Sequence, residues 1–531
     1  MLFGMSKLFL CKKLYVWCFC SALILLTPAC WATEALLWIT SDGRPSQEAM
    51  QAIGILINAD KEALLPEDYQ AQLLREGFGQ IKAGNKPAAS DLPALDAALT
   101  FSMQNFLADL HIGRVDPRKI QENFAALTTD QFNPATYLRT AVSEHRLAEA
   151  VSAAAPGVPL YARLRQALAS YKIIAKNPAW NTPLVIFPLK KLEPGNHYQD
   201  LAVLAQRLLA LGDLASAEAL PGRYEGVLVD AIKAFQERHN LVADGVIGRQ
   251  TLAYLNVLPS TRVRQIEVTM ERLRWTPVLE NPRMITINIP EFVLRAYQVH
   301  EQGIDVQGKM RVIVGKALDT RTPIFEADMQ FIEFSPYWNV PSSIATKEIV
   351  PKLKQNPHYF EDQDFEFVSV AGGQVINVLT DKNLQAVSRG ELRIRQRPGP
   401  KNALGDIKFV FPNNDHIYLH HTPAPQLFRQ DRRDFSHGCI RVEDPVALAK
   451  FVLQDETQWD EIRIVEAMKA GQSTTLKLNK PVRVLITYST VISKTDGRTF
   501  FYSDIYGQDK MLDNALRKRK NQDHFVQRIS H

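Results

Sequence analysis

The 531-residue chain concentrates its reactive side chains between His416 and Arg441. His416-Ile417-Tyr418-Leu419-His420 alternates as a strand does. Ile417 and Leu419 then lie on one face, and His416, Tyr418 and His420 on the other. After a fifteen-residue gap comes Ser436-His437-Gly438-Cys439-Ile440-Arg441-Val442. Asp444-Pro445 next starts a helix, with Asp as N-cap and Pro at the first position, and with Val446, Ala449, Val452 and Leu453 on its buried face. A thiol is mostly protonated at neutral pH and becomes a nucleophile once an imidazole takes its proton. That imidazole needs a third group on its other nitrogen to fix tautomer and direction. Attack on an amide carbonyl creates an oxyanion, which backbone N–H groups hold where no side chain blocks approach. Gly438, directly before Cys439, suits that approach. The pattern is that of an acyl-transfer site built on Cys439. Residue types alone leave two other readings. One is a zinc site from His420, His421, His437 and Cys439, although their spacing matches no common zinc motif. The other is a hydrogen-bonded core cluster of His and Cys.

Cysteine usage sharpens the question. The five cysteines are Cys11, Cys18, Cys20, Cys30 and Cys439. The first four share a stretch in which Lys7, Lys12 and Lys13 precede an uncharged 13-residue run, Leu14 to Leu26, followed by Thr27-Pro28-Ala29-Cys30-Trp31-Ala32. That order is expected of a secretory signal peptide, residues 1–32, cleaved after Ala32. The run is shorter than the ~20 residues a spanning helix needs. An uncleaved signal anchor and a lipidated Cys30 are the alternatives. Cleavage leaves Cys439 alone, without an internal disulfide in an oxidising compartment, so this thiol is either buried and inert or reactive. Cleavage also removes three lysines and no acid, taking the net charge from +5 to +2. A charge so near zero makes no electrostatic case for nucleic-acid binding. The run Arg517-Lys518-Arg519-Lys520 reads as a solvated helix end.

Positioning these residues takes several domains, because 531 residues exceed one core. With 46% hydrophobic and 22% charged residues the chain is globular rather than disordered. Residues 33–190 read as a helical scaffold, with Leu95–Leu110 and Leu147–Tyr171 as clear 3.6-period runs and Gly113-Arg114-Val115-Asp116-Pro117 as a turn. Residues 191–258 hold two apolar stripes, Leu201/Leu204/Leu208/Leu211 and Leu228/Ala231/Ile232/Phe235, then a turn at Asp244-Gly245 and a short helix over Thr251–Leu255. That is a three-helix unit. Near residue 283 the period changes to two, through Ile285, Ile287 and Ile289. A mainly β domain is expected over 275–485, interrupted by an insert at 335–400 that has the length and irregularity of a lid. Residues 486–531 form a C-terminal extension. The fold class is multidomain α+β.

His420, the gap and Ser436-His437-Gly438-Cys439 resemble the signature of L,D-transpeptidase catalytic domains: a His, a fixed gap, then Ser/Thr-His-Gly-Cys. Leu192-Glu193-Pro194-Gly195 through Asn256, with Phe235-Gln236, Asp244-Gly245 and Gly248, resembles a three-helix peptidoglycan-binding module. Tyr337-Trp338-Asn339-Val340-Pro341 and Arg395-Gln396-Arg397-Pro398-Gly399-Pro400 resemble parts of the large Gram-negative members, in which an inserted cap covers the active site. Gly113–Pro117 resembles part of their scaffold domain. The resemblance implies that Cys439 attacks the carbonyl between the third residue, a diamino acid, and the fourth, D-Ala, of a tetrapeptide stem. It implies that D-Ala leaves and that a side-chain amine of a second stem resolves the thioester as a 3→3 cross-link. In those terms His420 is the general base and the backbone carbonyl of His421 orients it. The amides of Gly438 and Cys439 form the oxyanion hole, and Ser436, His437 and Arg441 support the loop or the substrate. Tyr337, Trp338, Arg395 and Arg397 are candidate substrate contacts, with cap packing and solvated arginines as the alternative. Many members have Gly after the first His, and this chain has His421. Neighbouring strand residues face opposite ways, so only one imidazole can serve Cys439, and the gap favours His420. The resemblance further implies a periplasmic enzyme of cell-wall biogenesis and cell shape, open to acylation by carbapenems, with no metal and no cofactor. Its expected partners are peptidoglycan stems as donor and acceptor, with other cell-wall synthases as candidates and a membrane only if the signal is uncleaved. Two alternatives remain: an L,D-carboxypeptidase that uses water at the same site, and a non-catalytic wall-binding scaffold.

Overall fold

The computed structural model describes residues 36–83, 91–120, 132–186, 190–218, 220–276, 281–300, 303–318 and 320–529. The expected signal at 1–32, with four of the cysteines, lies outside them. No helix among the described residues is long and apolar enough to cross a membrane.

The N-terminal unit is helical, as its 3.6-residue apolar period requires. Its longest helix is Asp91–Ile112, and Gln47–Ile57 begins at Ser46, whose side chain accepts the Ala49 amide. The run from Leu147 to Tyr171 is two helices, Leu147–Ala154 and Pro159–Ile174. Pro156 cannot continue the first, and Pro159 has the φ that restarts a helix at its first position. Trp38, Tyr69, Phe78 and Phe106 are buried in this core. The same core takes in Ile266, Met270 and Leu273 of the helix Pro259–Leu273, and Val491 and Phe501 from near the C-terminus. The helix Pro259–Leu273 is therefore a hub. Glu271 accepts the amides of Arg114 and Val115, fixing the Gly113–Pro117 turn, and pairs with Arg274 at 2.6 Å. Gly113 sits there at φ +85°, where a Cβ would lie 2.6 Å from Trp275 Nε1.

The three-helix module consists of Leu201–Ala210, Val227–Arg238 and Arg249–Leu255 around Leu204, Leu208, Tyr224, Ile232 and Phe235. It is tied to its neighbours. Arg238 forms a buried pair with Asp213 and reaches Tyr171 Oη at 3.2 Å, and Phe501 packs against both Tyr171 and His239.

The β domain follows. Its strands are β1 (Arg283–Asn288), β2 (Val293–His300), β3 (Gly303–Gly315), β4 (Phe325–Phe334), β5 (Trp338–Asn339), β6 (Phe365–Ser369), β7 (Val375–Ile376), β8 (Leu392–Gln396), β9 (Ile407–Val410), β10 (Leu419–His420), β11 (Asp434–Ser436), β12 (Ile440–Val442), β13 (Thr474–Thr487), β14 (Val491–Ser493) and β15 (Thr499–Phe501). Among the described residues the order β3-β12-β10-β9-β4-β13-β1-β2 closes on itself, because β2 also pairs with β3. β11 is added to the open end of β3. Inward residues such as Ile287, Val312, Ile332, Phe409, Leu419, Ile440 and Val484 fill this barrel-like sheet. Helix Pro445–Val452 packs on it, capped by Asp444, with Leu448 joining Ala449 and Val452 on the buried face.

Between β4 and β9 the chain builds a smaller sheet, β5-β8-β6-β7, with its own core of Leu353, Phe360, Phe367, Leu384 and Ile394. This cap is anchored at its base by Asn402. That buried side chain donates to Pro336 O at 2.9 Å and Arg397 O at 3.0 Å and accepts the Leu404 amide at 2.8 Å, so the two connecting segments are held together.

Candidate active site

Strands β10 and β12 run parallel, with Leu419 opposite Ile440 and His420 opposite Arg441. Leu419 and Ile440 face the barrel core. Period two then puts Tyr418, His420, Cys439 and Arg441 together on the other face. The expected strand over 416–420 shortens to Leu419–His420. His416 has φ +54° and is exposed outside the strand, while its carbonyl accepts from Cys439 Sγ at 3.7 Å.

His420 is buried. Its Nδ1 is 2.5 Å from the carbonyl oxygen of His421. A carbonyl only accepts, so Nδ1 carries the proton and Nε2 is left with a lone pair. Burial, then the Arg441 charge, push its pKa down to about 3, against hydrogen bonds to the backbone of His421 and Leu404. At neutral pH the imidazole is uncharged. His421 points away, with Nδ1 3.5 Å from Asp406 Oδ2. It is wedged by Gly405, where a Cβ would lie 2.7 Å from both Cβ and Nδ1 of His421.

Cys439 is half-buried and unpaired by any disulfide. Burial raises its pKa above the ordinary thiol value, while hydrogen bonds from the backbone and hydroxyl of Tyr418, then Lys408 and Arg441, pull the other way. The Lys408 ammonium lies 4.5 Å from the centre of the Tyr418 ring and 3.1 Å from Glu333. Tyr418 was placed on the correct face by alternation alone; nothing in its sequence context gives it a contact with the thiol.

The loop holding the thiol is tightly organised. Ser436 Oγ donates to Cys439 O at 2.5 Å and accepts the Gly438 amide at 3.2 Å. In this arrangement the Gly438 N–H is already engaged. Gly438 has φ +116°, a region open to glycine. Its carbonyl accepts from Thr322 Oγ1 at 2.7 Å, and that oxygen accepts the Gly315 amide at 2.9 Å. The chain approaches so closely at Gly315 that a Cβ would lie 1.9 Å from Thr320 O. His437 leaves the loop in the other direction, its Nε2 2.6 Å from Glu348 Oε1 in the cap. Glu348 belongs to a short π-helical segment, Ala345–Ile349, a local form often found at functional sites. Arg441 is half-buried, and its buried Nε has no hydrogen-bond partner.

The cap residues singled out in the sequence are engaged within the cap. Arg395 donates to Glu366 at 2.7 Å and lies 4.0 Å over the Tyr337 ring. Trp338 packs on the cap core, and Arg397 pairs with Asp364 at 3.3 Å. Among the described residues, no three His, Cys, Asp or Glu side chains gather as a metal would require.

Three family models match the chain. Residues 282–483 match the L,D-transpeptidase catalytic domain, residues 32–168 the scaffold domain, and residues 197–255 the "Putative peptidoglycan binding domain". A Haemophilus influenzae protein named "Putative L,D-transpeptidase" is 30% identical over 281 residues, 52% of this chain and 55% of that protein. The chain thus matches about half the length of that relative. Among solved structures, the L,D-transpeptidase of Xylanimonas cellulosilytica is 14% identical, with 58% of this chain and 100% of that one covered and a TM-score of 0.17. A fused Zn-dependent amidase/peptidase/peptidoglycan-binding domain-containing protein of Clostridium acetobutylicum is 12% identical, covers 56% and 99%, and has a TM-score of 0.18.

Proposed function

We propose that this chain, which carries the L,D-transpeptidase catalytic domain together with scaffold and peptidoglycan-binding domains, is an exported cysteine acyltransferase that forms 3→3 cross-links between peptidoglycan stems. The observation that carries the reading is His420, its Nδ1 held by the His421 carbonyl, on the same face of the paired strands as Cys439. His420 takes the thiol proton as Sγ bonds to the carbonyl of the third stem residue. The Cys439 amide holds the oxyanion, joined by Gly438 if it releases Ser436 Oγ. His420 returns the proton to the departing D-Ala amine, leaving a thioester. A side-chain amine of a second stem attacks that thioester, His420 takes its proton, and Cys439 Sγ leaves as the amide forms, taking that proton back from His420. Ser436 and Thr322 keep the loop in shape, and burial, with Arg441 second, keeps His420 uncharged at rest. The cap lies over the loop through Glu348 and His437 and limits entry of water.

The test is incubation of the protein, lacking residues 1–32, with disaccharide-tetrapeptides, read by mass spectrometry. Cross-linked dimers with loss of D-Ala are expected, and none with Cys439→Ala. Tripeptide products alone would replace the transferase by a hydrolase. Turnover that survives Cys439→Ala would end both. A carbapenem is expected to add its mass at Cys439.

A further inference from the structure

A polar groove of about 600 Å³ runs between the three-helix module and the β domain. One wall comes from the module, with Asn240, Val242, Arg249 and Gln250. The other comes from the segment entering the catalytic loop, with Gln430 and Phe435. Phe435 is the residue directly before Ser436. The β11–β3 register slips between Asp434 and Ser436, so a bulge falls on Phe435. Bulges re-aim side chains next to active sites. Here the bulge turns a half-buried aromatic ring toward the groove, where an ordinary strand position would have put it in the ladder's alternation.

The module's wall is preorganised. Gln236 is fully buried. Its Nε2 donates to Asp244 Oδ1 at 2.9 Å and Val246 O at 3.0 Å, and its Oε1 accepts the Gly245 amide at 2.8 Å. Above this fixed floor, Arg249 and Gln250 are exposed and carry forked donors. One aromatic face opposite amide and guanidinium forks is the chemistry that recognises a sugar. The ring covers the apolar C–H face, and the forks take pairs of hydroxyl or acetamido oxygens.

We propose that this groove binds the glycan strand of peptidoglycan, not the stem, and that both domains are needed to form it. The proposal rests on the function argued above and names the part of the substrate that sets register. The dimensions agree. Three residues lie between Phe435 and Cys439, four steps along the chain and at most ~14 Å when extended, and the turn at Gly438 shortens that. A three-residue stem spans ~10 Å from its sugar to the carbonyl that Cys439 attacks. A sugar on Phe435 therefore brings its own stem to the thiol.

The test is calorimetric titration of the full chain with peptide-free glycan oligosaccharides, which needs no catalysis. The parent is expected to bind. Phe435→Ser and the double substitution Arg249→Ala/Gln250→Ala are each expected to weaken binding at least tenfold. Arg249 and Gln250 are exposed, so the double variant keeps its fold, as its unfolding temperature will report. Three results would overturn the proposal: no binding by the parent, parent-like binding by the double variant, or loss confined to the double variant with Phe435→Ser binding as the parent does. Displacement of the oligosaccharide by free tetrapeptide would also overturn it, since the groove would then take the stem. Glycan binding without turnover of disaccharide-tetrapeptides would instead count against the acyltransferase reading alone.

Discussion

The resting state of Cys439 can be tested without substrate, by its rate of alkylation. Burial holds the thiol above its ordinary pKa, so it stays protonated through neutrality and ionises only as the pH rises beyond the usual thiol range. At pH 7 only a small minority is thiolate. The rate of reaction with iodoacetamide, followed by intact mass, should therefore climb about tenfold per pH unit from pH 6 upward, with no plateau near neutrality. The hydrogen bond from the Tyr418 hydroxyl is one of the interactions that favour the thiolate. Such a bond to a charged group is worth about 1.5–3 kcal/mol. At 1.36 kcal/mol per pH unit, its loss in Tyr418→Phe should move the profile up by about one to two units and slow alkylation at pH 7 about 10- to 100-fold. A plateau beginning below pH 7 would mean a preformed thiolate–imidazolium pair and would refute the reasoning. Superimposed profiles for parent and Tyr418→Phe would refute the role of the hydroxyl.

Three further outcomes are expected. His420→Ala should lower cross-linking by about 10²–10⁴-fold, the usual range for a general base, and His421→Ala by far less, since alanine keeps the carbonyl that holds Nδ1; equal losses in the dimer assay would reassign the base. Thr322→Val leaves the Gly315 amide and Gly438 carbonyl buried without their partner and should cost about 2–4 kcal/mol in urea unfolding, with an unchanged midpoint counting against it. Glu348→Ala removes an exposed contact worth at most about 1 kcal/mol, so the unfolding temperature should hardly move while the share of hydrolysed tripeptide rises; an unchanged product ratio would show that this contact does not govern water entry.

Much of the site is legible in the sequence because it is local. The Ser436–Arg441 run closes its own hydrogen bonds, Asp444-Pro445 carries its own cap, and the alternation at 417–420 sorts core residues from the rest. His416 escapes because a positive φ at a non-glycine residue depends on the turn around it, where the Asn413 side chain accepts the Ile417 amide at 2.9 Å. The contact of Tyr418 with the thiol depends on β10 and β12 pairing across a loop, which a local pattern does not encode. The His437–Glu348 contact joins residues that are neighbours only after the cap folds over. The helix Pro259–Leu273 has an ordinary amphipathic pattern, and its placement in the N-terminal core follows from the tertiary fold. In the cap, Arg395 and Arg397, which read as candidate substrate contacts or solvated charges, find Glu366 on the adjacent strand and Asp364 just before it.

The parallel pairing of β1 with β13 also decides when this protein can fold. Met284 lies opposite Arg483 and Asn288 opposite Thr487, so the barrel closes only after almost the whole chain exists. The N-terminal core waits as well, because Val491 and Phe501 complete it. A nascent chain lacking its last fifty or so residues has two unfinished apolar interiors, and loops this long are closed slowly. The domains at the two ends of the chain therefore mature late, the barrel when β13 pairs with β1 and the N-terminal core when the hairpin β14–β15 docks on it.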